Sequence, residues 1–383
     1  MYPTKKLQDC ATIIAGQSPE SKYYNSTGEG IPFFQGKADF GELYPKVRVY
    51  CSSPTKIAQY NDILLSVRAP VGPTNLSPGT VCIGRGLAAI RPDDSLDLKY
   101  LLYYFRYFET QLSAKGTGTT FKAINQKLIK NLEITIPPLN EQSRIVARIE
   151  ELFSELDKAV GTLKTTKEQL EVYRQAVLKD EFSDFEKKDS IRNLTMVVTS
   201  GSRGWAKYYS NSGALFVRIG NLTHSGIDID FRDIQHITPP DNAEGVRTRL
   251  QPNDVLVSIT ADLGSIGFVS EKVEEAYINQ HIALVRFQNP VQGRFMAWYL
   301  RSEYGQKDLL KNKRGGGKLG LGLDDIRDTP VPIVDDITAT EIVDKVEEQL
   351  SVCDSIEKTV DSALAQADAM RQSILKQAFE GKI

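Results

Sequence analysis

Arg144-Ile145-Val146-Ala147-Arg148-Ile149-Glu150-Glu151-Leu152 decides the fold, because the chain writes it twice. It returns as Glu341-Ile342-Val343-Asp344-Lys345-Val346-Glu347-Glu348-Gln349. Likewise Tyr173-Arg174-Gln175-Ala176-Val177-Leu178-Lys179 returns as Met370-Arg371-Gln372-Ser373-Ile374-Leu375-Lys376. Both pairs are separated by the same interval, so no insertion intervenes. That interval is far too long for a solenoid repeat and reads as a duplicated unit of globular domain plus helix. Two similar halves in one chain can be related by a near two-fold axis, a symmetry that suits duplex DNA as a partner.

Working outward, apolar residues recur at steps of four and three through Ile145, Ile149, Leu152, Leu156, Ala159, Leu163, Thr166, Leu170, Tyr173 and Val177. The second copy gives Ile342, Val346, Gln349, Cys353, Ile356, Val360, Ala363, Ala367, Met370 and Ile374 in the same register. This is a sustained heptad seam. Each helix spans about 40 residues, hence roughly 60 Å at 1.5 Å per residue. Neither seam is stable alone in water, so the two are expected to form an antiparallel coiled coil, a stiff rod with a globular unit at either end. Small residues at Ala159, Ala363 and Ala367 would allow close approach. A coiled coil between two copies of the chain is the alternative; two seams in register within one chain favour the internal pair. Pro137-Pro138 end a strand at Leu132–Ile136, and Asn140 is the expected helix cap.

These signals divide the chain into mixed α/β domains at 1–139 and 183–333, a central helix at 140–182 and a C-terminal helix at 334–383. Ile31–Gln35, Asp62–Val67 and Gly86–Ile90 read as strands and Leu98–Leu112 as an amphipathic helix. In the second domain Leu215–Asn221 and Val255–Ile259 read as strands, Phe295–Leu309 as a helix, and Pro330-Val331-Pro332 as the exit. Gly245 and Gly315-Gly316-Gly317 mark loops.

The repeat persists inside the domains. Asn61-Asp62-Ile63-Leu64-Leu65-Ser66-Val67-Arg68 lines up with Asn253-Asp254-Val255-Leu256-Val257-Ser258-Ile259-Thr260, and Cys82-Ile83-Gly84-Arg85 with Tyr277-Ile278-Asn279-Gln280. Apolar positions persist while polar ones change: Arg68 to Thr260, Gly84 to Asn279, Arg85 to Gln280. A shared frame with different polar surfaces suggests related sites that recognise different things.

At 383 residues, 41% hydrophobic and 25% charged, the chain has the composition of a soluble globular protein with two or three domains. No apolar run reaches membrane-spanning length, and Met1–Lys6 leads into no signal-peptide core. Cys10, Cys51, Cys82 and Cys353 are scattered, which fits a reducing cytoplasm and speaks against structural zinc. The net charge of −2 opposes nucleic-acid binding only if taken globally. Acidic residues crowd the two helices. Basic ones gather in the domains, at Arg106, Lys115, Lys122, Lys127 and Lys130, and at Arg301, Lys307, Lys311, Lys313, Arg314 and Lys318.

Catalytic signatures are missing. Gly315–Gly320 fits G-x-G-x-x-G formally but follows a helix and not a strand. There is no Walker A lysine, no N-P-P-[FY] tetrapeptide of amino-methyltransferases and no G-x-S-x-G elbow. The chain is expected to do no covalent chemistry, and binding remains. The loops Lys115–Lys122, with Thr117 and Thr119, and Lys313–Lys318, with Arg314, occupy equivalent places before the last strand of each domain. Glycines let the backbone approach phosphate and lysines add charge, although a flexible surface loop explains the same pattern. Lys37, Arg68, Arg85, Arg218, Asn221, Gln280 and His281 sit beside strands, and Arg, Asn and Gln can contact base edges bidentately. Each alone can equally be structural.

Ile136-Pro137-Pro138-Leu139-Asn140-Glu141-Gln142 before a heptad helix, Asp62–Gly72, and Gln372–Lys382 resemble the specificity subunits of type I restriction-modification systems. The resemblance spans essentially the whole chain. The second copy departs from it at Pro332-Ile333-Val334-Asp335-Asp336, which concerns the local strand–helix junction. It implies two target-recognition domains, each reading half of a split duplex DNA sequence, with the helical spacers setting the gap. It also implies a non-catalytic, cytoplasmic subunit without a cofactor of its own. The family's two modification subunits carry S-adenosylmethionine and flip the target base; restriction subunits driven by ATP can join. On that reading Arg144, Arg148, Arg174, Lys345, Arg371 and Lys376 are partner-binding cations on the helices. The competing reading is a non-enzymatic coiled-coil adaptor whose domains bind proteins.

Overall fold

The computed structural model describes residues 2–116, 122–183, 185–240, 243–311, 313 and 319–383. It divides into a unit of Met1–Leu163 with Ser362–Ile383 and a unit of Lys164–Asp361. The first contains β1 (Thr4–Lys6), β2 (Ala11–Ala15), β3 (Ile31–Phe34), β4 (Ile63–Ser66), β5 (Val81–Ile83), β6 (Leu87–Pro92), α1 (Leu98–Ala114), β7 (Glu133–Thr135) and the start of α2 (Leu139–Glu181). The second contains the remainder of α2, then β8 (Lys188–Ser190), β9 (Thr195–Ser200), β10 (Ala214–Val217), β11 (Val255–Ser258), β12 (Ala276–Ile278), β13 (Ile282–Phe287), α3 (Gln292–Arg301), α4 (Glu303–Leu309), β14 (Pro330–Pro332) and most of α5 (Asp336–Phe379).

The duplication is literal at the level of strand pairing. In the first unit β6 lies antiparallel between β2 and β4, β3 runs parallel to β5, and β1 pairs β7. In the second, β13 lies between β9 and β11, β10 runs parallel to β12, and β8 pairs β14. The four residues of β4 are all buried, as are those of β11. That is why these runs are continuously apolar and not alternating. Full burial of each Leu, Ile or Val contributes about 1.5–3 kcal/mol.

The proline-rich junction has a concrete job. Gln142 is wholly buried: its Oε1 accepts from the Asp97 amide (2.7 Å), and its Nε2 donates to the carbonyls of Ser95 (3.0 Å) and Pro137 (2.8 Å). Asp97 in turn caps α1 by accepting from the Tyr100 amide (2.9 Å). One side chain therefore joins the beginnings of α1 and α2. In the second copy the duty is reversed. Gln292, at the start of α3, donates to Asp336 (2.7 Å) at the start of α5, and buried Ala339 lies on α5. The junction forms with different partners, which accounts for the departure in sequence.

In both units the long helices run antiparallel. In the first, Asp157 of α2 pairs with Arg371 of α5, and earlier in α2 Arg144 donates to the carbonyl of Ile383 (3.3 Å). In the second, Lys167 pairs with Asp361 (2.8 Å), Arg174 with Asp354 (2.6 Å) and Glu181 with Lys345.

Several expectations need correction. Half of the seam is buried as expected: Ile149, Leu156, Leu170 and Val177 on α2, with Val346, Cys353, Val360 and Ala367 on α5. At the other heptad position Ile145 is buried together with Val146, but elsewhere the buried residue lies one further along, at Arg174, Val343 and Leu350, while Ala159, Tyr173, Ile356 and Met370 are exposed. Apolar residues occupy neighbouring positions, Ile145 beside Val146 and Ile342 beside Val343, because each helix packs on its globular unit as well as on its partner. The stripe is accordingly wider than a strict coiled-coil seam. Asn140 lies inside α2, which begins at Leu139. The expected Phe295–Leu309 helix is two, broken at Ser302, whose hydroxyl accepts from the Gly305 amide and starts α4. Leu215–Asn221 is strand only to Val217 and then a 3-10 turn, Ile219–Asn221. Gly245 lies in a short helix, Ala243–Thr248, and not in a loop. Arg106 belongs to α1 and stacks over the Tyr103 ring, burial lowering its pKa.

Candidate nucleic-acid interface

The parallel strand pairs bring the candidate residues together. In the first unit the Gly84 amide donates to Phe34 (2.8 Å), and in the second the Asn279 amide donates to Val217 (3.2 Å). The loops leaving β3 and β5 are thus the counterparts of those leaving β10 and β12. Gln35 matches Arg218, and Arg85 matches Gln280.

The antiparallel pairs add a second relationship. Ser66 pairs Leu87 at the end of the β4–β6 ladder, and the Val67 amide extends it by donating to Gly86 (2.9 Å). Beyond it Arg85 sits in the turn closed by the Leu87 amide on Gly84 (3.0 Å), and Arg68 and Arg85 line one cleft. In the second unit Ser258 pairs Ile282 and the Ile259 amide donates to His281 (2.9 Å), and the Thr260 hydroxyl meets the His281 imidazole beside Gln280. A backbone bridge joins Arg68 to Ala123, just after the glycine loop, and another joins Thr260 to Gly320. The described ends of both glycine loops therefore return beside these positions. Thr117, Thr119, Arg314 and Lys318 lie outside the described residues.

An open cleft in the first unit is lined by Lys37, Arg48, Arg68 and Arg85, with Ser18 and Asp39. The four cations are exposed. Among the described residues none of them has a carboxylate within ion-pair distance; Arg48 donates to the Ala38 carbonyl (2.8 Å). Gly86 is required at the floor, since a Cβ there would lie 2.2 Å from the Gln35 carbonyl oxygen. The sequence reading missed Arg48, which comes from a loop without a repeat signal. Lys115 and Lys122 are exposed, and the Lys115 ammonium lies 5.0 Å from the Phe108 ring centroid.

The equivalent cleft in the second unit holds Arg218, Arg232, Asp230 and Asp233. Its charges are paired: Arg232 with Asp230 (2.6 Å) and Arg218 with Asp233 (3.4 Å). Hydrogen bonds from Arg232 push the Asp230 carboxyl down to about 2. Asn221 is buried, accepts from the Arg218 amide (2.8 Å) and donates to the carbonyls of Asp230 (2.8 Å) and Asp233 (3.1 Å). Its amide shapes the loop. Gln280 and His281 are half-buried and joined to each other at 3.0 Å, with Thr260 at 2.5 Å from the imidazole. Lys313 is exposed.

Residues 2–172 match the family model described as the type I restriction modification DNA specificity domain. The first part of the chain therefore carries this DNA specificity domain, and the whole chain is similar to type I restriction-modification specificity subunits. It is 41% identical over 167 residues to a Methanocaldococcus jannaschii protein described as a type I restriction enzyme MjaX specificity subunit, a match spanning 43% of this chain and 38% of that protein. Similarity to the Escherichia coli type I restriction enzyme EcoBI specificity subunit, 23% identical, extends over 98% of this chain and 85% of that one. The fold matches a chain from a type I restriction-modification system structure with a TM-score of 0.77 at 18% identity, over 100% of this chain and 98% of the other. Specificity subunits are the non-catalytic members of these systems and have no cofactor of their own.

The six helix cations expected to meet partners are all engaged internally. Arg144 pairs with Glu141 (2.8 Å), Arg148 with Glu151 (2.7 Å), Arg174 with Asp354 and Glu357, Lys345 with Glu181, Arg371 with Asp157, and Lys376 with Glu380 (3.9 Å). Arg174 is buried, so its guanidinium belongs to the helix pair. Among the described residues no helix is long and apolar enough to cross a membrane, and no cluster could hold a metal ion.

Proposed function

We propose that each unit reads one half of a bipartite duplex DNA target through the ladder-end positions and the cleft beside them. The observation that carries this reading is one strand frame, built twice, with different polar groups at equivalent places: Arg68 and Arg85 in one unit, Thr260 and Gln280 in the other. Phosphate contacts come from the loop lysines Lys115, Lys122 and Lys313, with Arg314 and Lys318; base contacts come from the clefts. The long helices, whose chain passes through both units, set the number of unread base pairs between the halves. The subunit works in the cytoplasm, assembled with two methyltransferase subunits that carry S-adenosylmethionine and with ATP-driven restriction subunits. Arg144, Arg148 and Lys376, exposed on the helices, are the cations best placed to meet those partners.

Footprinting of the full chain on duplexes selected from a random pool tests this. Two protected segments flanking an unprotected gap, with affinity falling steeply as salt rises, are expected. One continuous site, or affinity for no duplex at all, would favour the protein-binding adaptor.

A further inference from the structure

We infer that the two half-sites are read by different chemistry: the first unit reads guanine through Arg68 and Arg85, which line one cleft, and the second reads adenine through Gln280. The inference rests on the DNA-reading function proposed above and names the bases. Like charges gathered at one cleft repel, yet Arg68 and Arg85 line the same cleft and no described carboxylate pairs with either. Most arginines elsewhere in the chain have found an acid: Arg91, Arg192, Arg232, Arg286 and Arg327 are examples. A local repulsion kept in place at an open cleft is relieved when electron-rich atoms enter between the two groups. Arg68 and Arg85 line both the cleft and the groove behind it, so they stand where such a ligand passes. A guanidinium has only donors, and the base edge with two adjacent acceptors in the major groove is guanine, at O6 and N7.

The second unit offers the opposite pattern. The Gln280 amide nitrogen can only donate, so His281 Nε2 accepts from it (3.0 Å) and Nδ1 carries the imidazole proton toward Thr260 (2.5 Å). This chain orients the Gln280 side chain and leaves its Oε1 as an acceptor and a second amide hydrogen as a donor. An acceptor beside a donor matches adenine N6 and N7. The arginines nearby, Arg218 and Arg232, are already paired with Asp233 and Asp230.

The test is selection by the full chain from a duplex library randomised in both halves, repeated with the R68Q/R85Q, R68K/R85K and Q280A variants. The unaltered chain should enrich G·C pairs in one half and A·T pairs in the other. R68Q/R85Q should lose guanine preference by roughly tenfold or more in its half and leave the other half unchanged. R68K/R85K keeps the charge but not the bidentate fork, so it should bind random duplex with the same salt dependence and still lose guanine discrimination. Q280A should relax only the adenine half. Guanine preference that survives both arginine replacements, or disappears equally from both halves, overturns the inference while the bipartite reading stands. If no bipartite sequence is enriched by the unaltered chain, the DNA-reading function fails and takes this inference with it.

Discussion

Arg174 is paired with Asp354 at 2.6 Å, and the equivalent residues of the other repeat, Arg371 and Asp157, form the same pair. The duplication has kept an ion pair across the two helices and placed one copy in each unit. The copies differ in depth. The Arg174 side chain is 9% exposed and also reaches Glu357 at 3.0 Å, whereas that of Arg371 is 32% exposed and lies 5.2 Å from the Phe153 ring centroid.

From that difference, Arg174→Ala should destabilise the protein by about 2 kcal/mol, since packing of a long buried stem is lost and two carboxylates are left together. Asp354→Asn should cost less than about 1 kcal/mol, because Asp354 is largely solvated and Glu357 remains as partner. Arg371→Ala should fall between them. Urea unfolding midpoints would rank the three, and equal effects at Arg174 and Asp354 would show that the pair, not the stem, supplies the stabilisation.

The heptad spacing announced both helices because an apolar stripe at steps of three and four has few other uses. Its phase was not legible: with Ile145 beside Val146 and Ile342 beside Val343, spacing alone cannot say which face meets the partner helix and which meets the domain. In the domains, the internal repeat exposed equivalent positions such as Arg68 and Thr260 before any strand pairing was known. Arg48 escaped notice because its loop, whose structural counterpart precedes Gln235 in the second unit, shares no sequence pattern with it. Asn221 read as a base contact because an asparagine beside a strand looks alike whether its amide faces solvent or, as here, closes its own loop.

The Asp230–Arg232 pair should hold its loop in acid. A carboxyl pushed down to about 2 from its ordinary 3.8 contributes stability that is complete above the ordinary value and lost as pH falls through about 2. A carboxyl titration followed by NMR should therefore find Asp230 ionised at pH 3. In Arg232→Gln its titration should return toward the ordinary aspartate range; an unchanged midpoint in the variant would assign the shift to the backbone amide of residue 232 instead.

Asp62 and Asp254 are buried at equivalent places, each held by a bidentate arginine, Arg91 or Arg286, and each accepting a backbone amide from Gln59 or Gln251. Removing either carboxylate leaves a guanidinium facing an empty buried position. Asp62→Ala and Asp254→Ala should each cost about 3 kcal/mol. Thermal unfolding checks this, and a loss below about 1 kcal/mol at either site would mean that solvent reaches the orphaned arginine.

The loop lysines and the cleft arginines should separate by the kind of binding they lose. Lys115 and Lys122 flank a glycine-rich segment whose far end is tethered beside Arg68 by the Arg68–Ala123 bridge, and neither lysine is among the residues that line the cleft. A phosphate contact carries no sequence information, and each one released lowers the salt slope by about one. The K115A/K122A variant should therefore weaken binding to every duplex alike and reduce the slope of log affinity against log salt by about two, with the preferred sequence unchanged. A variant that keeps its slope but changes its preferred sequence would place these lysines on base edges, and the division between phosphate grip and base reading would have to be redrawn.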